Sequence, residues 1–413
     1  MQLAARALTR LLAVFTASTL ALALLLVPSS TRADDKVAAG VTYFLEPAPS
    51  TGLNVIHPQV TYGQDYTRRF GMDLGYNADI VSGATVQIFD TVTRATPFSD
   101  VRHAGNLGFR FMSDYATLNV AGGFAGESDY RSGTVSVGMS SDMFNRNTTV
   151  GLDYTHNFDS VCDASNAENQ ELLERAPLDQ SEPCFTDSDV VATRSLSIDS
   201  VQASVTQVVT PWWVLQVGVS GQVVNGFQSN PYRQVRLGPR AVQEHLPEVR
   251  NRMAGYLRSK WALKPIRGSI EAFARGYADS WALESFTAQL AWDQYIVRNL
   301  VARVRARWHI QDSALFYRDA NEYRSGGSNG SYWTGDRELS ALANFTAGAK
   351  IGYRFVAQEK EFARVFDAIG LSAKADFLFY RSRTANPEHS PNYDRTQGLL
   401  DAVVVQGQVN FEF

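Results

Sequence analysis

Cysteine and histidine are scarce in this chain of 413 residues, which holds two Cys and six His. Two thiols are too few for a zinc site without imidazoles beside them, and His156 is the one histidine near them in sequence. The others (His57, His103, His245, His309 and His389) fall in no catalytic spacing. There is no Gly-rich phosphate cradle and no Cys/His cluster, so neither a cofactor nor a metal is expected. A basic excess is also lacking. Against 42 Asp and Glu stand 38 Lys and Arg, a formal net charge of −4, which argues against nucleic acid as a partner. Beyond residue 33 no apolar run is long enough for a membrane helix, so any span must be made of strands.

What is present begins with a secretory signal. Arg6 and Arg10 precede the mostly apolar Leu11–Val27, and Pro28-Ser29-Ser30-Thr31-Arg32-Ala33 supplies small residues before a cut after Ala33. A retained transmembrane helix is the alternative, but the apolar stretch is marginal for a span of about 20 residues. No Cys follows the cut, which argues against a lipoprotein anchor. Loss of residues 1–33, with three Arg and no acid, leaves 35 basic against 42 acidic residues. Residues 34–413 show no linker and no repeat longer than a hairpin, so one domain is expected.

That domain reads as all-β. Period-two alternation recurs over Arg69–Val81, Val101–Met112, Ala116–Gly126, Tyr130–Asp142, Thr148–Phe158, Ser197–Val209 and Trp212–Asn225. It continues over Glu248–Leu263, Gly268–Ala278, Glu284–Val297, Asn299–Tyr317, Leu339–Arg354, Ala363–Arg381 and Gly398–Phe413. Val41–Glu46 and Leu53–Asp65 are weaker, and Pro58 is awkward in a paired strand. The sum is about 16 strands, with 14–18 the range, for a transmembrane antiparallel up-and-down β-barrel. Counted back from the C-terminus, long and short connections mostly alternate, as such a barrel requires, with Phe355–Phe362 the one longer link at the short-turn end. The long ones are Ser82–Asp100, Asp159–Leu196, Gly226–Pro247, Arg318–Glu338 and Ser382–Gln397. In the last segment Val403, Val405, Gly407, Val409, Phe411 and Phe413 share one face. A closing strand with a terminal aromatic resembles those of many bacterial outer-membrane barrels. That resemblance makes Phe411 and Phe413 a signal to the barrel assembly machinery and the outer membrane the destination.

Charge then assigns the faces. A cation facing lipid at mid-depth costs about 2–4 kcal/mol. Arg303, Arg305 and Arg307 alternate with Val304, Ala306 and Trp308, so the arginines should face the lumen. The same argument turns Arg258, Lys260, Glu271, Arg275 and Asp293 inward. On the N-terminal side Asp73, Asn77, Asp79, Asn106 and Arg110 go inward. One reading of the lumenal cations is an electropositive constriction for anionic solutes. The other is an ion-pair network bracing the wall, which is the more general explanation because buried charges need partners.

Cys162 and Cys184 bound a polar, acid-rich stretch and read as one disulfide closing a surface loop in an oxidising compartment. The acids there, Asp163, Glu168, Glu171, Glu174, Asp187 and Asp189, lack a calcium-loop spacing and read as a solvated loop. Ser136 and His156 are a loose nucleophile–base possibility as diagonal neighbours across a hairpin. They match no motif, and no enzyme is expected.

Several patches carry a wider resemblance. They are Ser82-Gly83-Ala84-Thr85, the run from Asn225 to Arg233, and the run from Leu246 to Arg252. Arg258, Trp281, Tyr295, Arg303, Arg305, Trp308, Gln311 and Ala314-Leu315-Phe316-Tyr317 follow in order. Together they resemble a family of bacterial outer-membrane proteins known as domain of unknown function 3570. The resemblance implies an outer-membrane barrel and carries no activity. The expected function is passage of small hydrophilic solutes, with anions favoured by Arg258, Lys260, Arg275, Arg303, Arg305 and Arg307. The alternative is a plugged barrel with a structural or surface-binding role, and an enzyme is third. The partners expected are the lipid bilayer, the assembly machinery and small anions.

Overall fold

The computed structural model describes residues 35–46, 53–84, 97–164, 171–178, 184–185, 191–237, 240–318, 323, 330–356, 366–383 and 400–413. The segment read as a signal lies outside them. Strands β1 to β6 are Lys36–Leu45, Asn54–Thr67, Phe70–Ala84, Pro97–Met112, Ala116–Gly126 and Tyr130–Met143. Strands β7 to β12 are Thr148–Ala164, Val191–Thr210, Trp213–Gly226, Gln234–Leu237, Arg240–Gln243 and Val249–Leu263. Strands β13 to β18 are Gly268–Asp279, Glu284–Val297, Leu300–Gln311, Leu342–Val356, Ala368–Ser382 and Leu400–Glu412.

Sixteen of these strands form one closed barrel. Sequence neighbours pair antiparallel, and β1 closes on β18 with Val37 opposite Phe411. β10 and β11 form a separate hairpin, so β9 pairs directly with β12. The weakly patterned first two strands are real. Pro58 is accommodated because pairing with β3 runs from Ile56–Ile80 to Gln59–Asn77 and skips His57 and Pro58. Proline has no N–H to give, so the ladder lapses where it sits.

Closure turns one parity of each strand outward. Exposed apolar residues hold that parity: Leu107, Val137, Val205, Val217, Leu257, Leu290, Val304, Ile351 and Val405. Aromatic residues gather at both ends of this band. Tyr66, Tyr115, Phe144, Trp212 and Phe355 stand at the short-turn end. Tyr76, Phe124, Phe158, Phe286, Trp308 and Phe345 stand toward the long-loop end. An apolar band between two aromatic girdles is the outer surface of a membrane barrel, since aromatic rings prefer the headgroup level.

Two expectations need correction. Asn299–Tyr317 is not one strand: β15 ends at Gln311. Ala314 and Leu315 instead bond Leu339 and Trp281 through their backbone N–H groups, both at 2.8 Å. Alternation stops at four consecutive non-polar residues, Ala314–Tyr317, which bury Ala314 and Tyr317 in a cluster with Leu246, Trp281, Leu283 and Leu339. Asp159–Leu196 is not all loop either. β7 and β8 stay paired up to Ala164 opposite Val191, so Cys162 sits on a strand opposite Thr193.

Candidate functional site: the charged lumen and its cap

Five adjacent strands, β12 to β16, put the expected cations on one inner surface. Pairing registers set them in rows. One row runs Lys260, Glu271, Ala291, Arg305 and Gly348. The next toward the long-loop end runs Arg258, Phe273, Gln289, Arg307 and Thr346. Above it lie Tyr256, Arg275, Thr287, His309 and Asn344.

The six cations split into two sets. Lys260 donates to Asp293 at 3.2 Å, and Arg303 reaches Glu271 at 2.9 Å and Asp293 at 3.5 Å. Arg305 forks onto Asp376 with bonds of 2.9 and 2.7 Å. Lys374 joins the same carboxylate at 2.8 Å. Such bidentate pairs are the strong form of the interaction and brace the wall. Arg258, Arg275 and Arg307 have no carboxylate partner among the described residues. Arg258 lies 5.5 Å from the centre of the Phe273 ring and Arg275 5.5 Å from that of Tyr277. Arg307 is near the like charges of Arg305 and Arg275. The ion-pair reading is met by the first set, and the second set stands without a carboxylate among the described residues. Asp376 and Lys374 were not singled out from sequence, although the alternation of β17 places both on the inner parity.

The opposite wall is neutralised internally. Arg110 pairs with Asp65 and Asp73, both at 2.9 Å, and Asp79 holds His57 at 2.6 Å and Arg102 at 3.2 Å. Among the described residues, the unpaired positive charge of Arg258, Arg275 and Arg307 therefore lies to one side of the lumen.

At the long-loop end the connections interlock into a cap. Val235, Leu237 and Val242 of the β10–β11 hairpin bury against Tyr323 and Trp333, with Leu172 and Leu173 packed on the same cluster. Glu244 is fully buried. It takes Arg233 at 3.1 Å and the Thr334 hydroxyl at 2.5 Å, while Arg233 also reaches Asp336 at 3.0 Å. Burial pushes the Glu244 carboxyl up, against the pull of Arg233 and Thr334. His245 and Trp333 exchange backbone bonds, joining the β11–β12 connection to the β15–β16 connection. Burial lowers the His245 imidazole below its ordinary value. Arg250 lies over the Trp281 ring at 4.0 Å and binds Asp279 at 2.8 Å. Leu246, Arg250, Trp281, Ala314 and Tyr317, patches far apart in sequence, thus meet in one packed rim.

Cys162 and Cys184 form the expected disulfide, with Cα atoms 6.2 Å apart. Next to it Asp163 is buried and accepts from Gln243 at 2.9 Å, which ties the disulfide segment to the hairpin. Of the acids once grouped as a solvated loop, Asp163 is therefore interior, while Glu168, Asp187 and Asp189 lie outside the described residues. Three other carboxylates, Asp100, Glu127 and Asp129, bring oxygens within 4.8 Å of one another and are the grouping able to hold a cation among the described residues. Burial, then repulsion from Asp129 and Asp100, pushes Glu127 up to about 7.

The Ser136–His156 possibility fails on parity. Ser136 stands opposite Thr155 and His156 opposite Val135, on different faces of the sheet. His156 instead bonds Asp199 at 2.7 Å on the outer wall, where Tyr154 donates to the same oxygen at 2.6 Å.

An apolar outer wall, aromatic girdles and an ion-paired lumen define a transmembrane β-barrel. The chain belongs to the protein family of unknown function DUF3570, whose model matches residues 3–368. No curated protein matches it. Among solved structures, a bacterial polysaccharide outer membrane secretin is similar at 9% identity and a TM-score of 0.49, over 93% of this chain and 100% of that one. OccK1 (OpdK) of Pseudomonas aeruginosa is similar at 9% identity and 0.41, over 92% and 98%. The siderophore receptor PirA of Pseudomonas aeruginosa is similar at 10% and 0.41, over 92% of this chain, which spans 62% of the receptor.

Proposed function

We propose that this protein is an outer-membrane barrel that passes small hydrophilic solutes and favours anions. The observation that carries the reading is the split among the lumenal cations. Lys260, Arg303 and Arg305 are spent on carboxylates, while Arg258, Arg275 and Arg307 are left to meet a solute. A barrel of 16 strands is wide enough to leave an aqueous channel, and unpaired cations in its wall raise the local concentration of anions. The closed barrel with its apolar outer wall supports residence in the outer membrane. Conductance of residues 34–413 in a planar bilayer tests the reading. Steady steps that reverse toward the chloride potential in a salt gradient support it, and silence from folded protein removes it.

A second reading has its own observation. The cap, held by the disulfide, the Arg233–Glu244–Asp336 cluster and the His245–Trp333 bridge, favours a barrel closed at the long-loop end, with a structural or surface-binding role. In that case conductance appears only after the cap is loosened.

A further inference from the structure

Between β7 and β13 the inner wall holds a cavity of about 570 Å³. Its volume falls within the roughly 300–1,000 Å³ of small-molecule sites. Short side chains make the space. Ala254 and Ser220 face each other across the β9–β12 ladder, where longer residues would fill it. Two cations bound it, Arg252 and Arg275, and neither has a carboxylate partner among the described residues.

Arg252 is held in place yet incompletely bonded. One terminal nitrogen donates to Gln222 Oε1 at 2.8 Å, and Gln222 in turn donates to Ser200 at 2.9 Å. Its Nε is buried and lacks any hydrogen-bond partner. A buried donor without an acceptor is costly, about 1–3 kcal/mol, and more for a charged group. Arg252 also borders the cavity. The one carboxylate lining the cavity, Asp153, leans away over Gly138 and touches neither arginine. The remaining lining is uncharged and mixed, with the amide of Gln202 and the hydroxyl of Thr155 beside Val201, Met253 and Ala254.

We infer that this cavity is a subsite for a polyhydroxylated organic anion of monosaccharide size, a sugar acid. Its carboxylate sits between Arg252 and Arg275, and its hydroxyls bond Gln202 and Thr155. A bare inorganic anion would use the two cations and leave the amide and hydroxyl groups idle. Two cations with a surround of mixed donors and acceptors fit an anion that carries hydroxyls. The inference deepens the reading of the lumen as a solute path and rests on it.

Calorimetric titration of folded protein in detergent tests the subsite without requiring conduction. The probes are galacturonate, acetate and glucose, and heat-modifiable mobility on gels confirms that each variant is folded. Saturable galacturonate binding is expected, weakened at least tenfold in Arg252→Gln and in Arg275→Gln. It is unchanged in Arg354→Gln, a cation at the short-turn end. Weak acetate binding and no glucose binding complete the expected pattern. Galacturonate binding that survives Arg252→Gln overturns the subsite, as does acetate binding of equal strength. If chloride conductance is seen and galacturonate binding is not, the subsite falls and the channel stands. If galacturonate binds and no current flows, the channel falls and the subsite stands.

Discussion

Arg305 on β15 grips Asp376 on β17 by two parallel hydrogen bonds of 2.9 and 2.7 Å, across the intervening strand. The strand between them offers Gly348 at that register. A Cβ on Gly348 would collide with the Asp376 carboxylate and stand 2.9 Å from Arg305 Nε. The missing side chain is what lets an ion pair bridge three strands.

Gly348→Val should therefore break the fork without removing a charge. Asp376 keeps Lys374, so the expected loss is about 3 kcal/mol, the low end for breaking a buried pair. A urea titration of the barrel in lipid vesicles reads it as a lower midpoint. Arg305→Ala should cost a similar amount, and the double variant little more than either, because both act on one contact.

The disulfide is a fastening of the cap and not of the wall. Cys162→Ser with Cys184→Ser removes a cross-link between residues 22 apart, worth about 3 kcal/mol by loop entropy. Heat-modifiable mobility of the barrel should persist. Trypsin should cut after Arg175 many times faster, because the Arg175 carbonyl that receives the Gln243 N–H is then less firmly held. Equal cutting rates in both forms would show that the hairpin alone holds the segment.

Glu127 makes the β5–β6 turn sensitive to pH. Its carboxyl is raised from 4.5 to about 7, first by burial and then by Asp129 and Asp100. A raised carboxyl contributes stability that is full below about 4.5 and is lost as pH rises through about 7. Asp129 next to it bonds the Tyr232 side chain of the cap. Amide exchange around residues 127–130 should accelerate between about pH 4.5 and 7 by more than the intrinsic base catalysis of exchange, and Glu127→Gln should flatten that excess.

How much of this was legible in sequence follows from what each feature depends on. The wall was legible, because a strand exposes its two faces at a fixed period of two and a cation cannot face lipid cheaply. Arg303 and Leu257 could be assigned from that alone. Pairing of the charges was not legible. Whether Arg305 finds Asp376 while Arg307 finds no acid among the described residues depends on register across two hairpins and on a glycine in between. The Ser136–His156 suggestion failed on the same register, which one residue of slip reverses. The cap was hidden for another reason. Ala314–Tyr317 and Leu246 are apolar without alternation, so period-two reading either extended a strand through them or left them as loop. Their shared burial with Trp281 is a tertiary fact.

The measurement that most directly tests the division of the lumenal cations is ion preference in single channels. Folded protein is placed in a planar bilayer under a tenfold salt gradient, as wild type, as Arg258→Ala with Arg275→Ala and Arg307→Ala, and as Lys260→Ala with Arg303→Ala. The account predicts anion preference in wild type, loss of it in the triple variant, and a much smaller change in the double variant, whose cations are matched by Glu271 and Asp293. Equal loss in both variants, or a cation-preferring wild type, would contradict it.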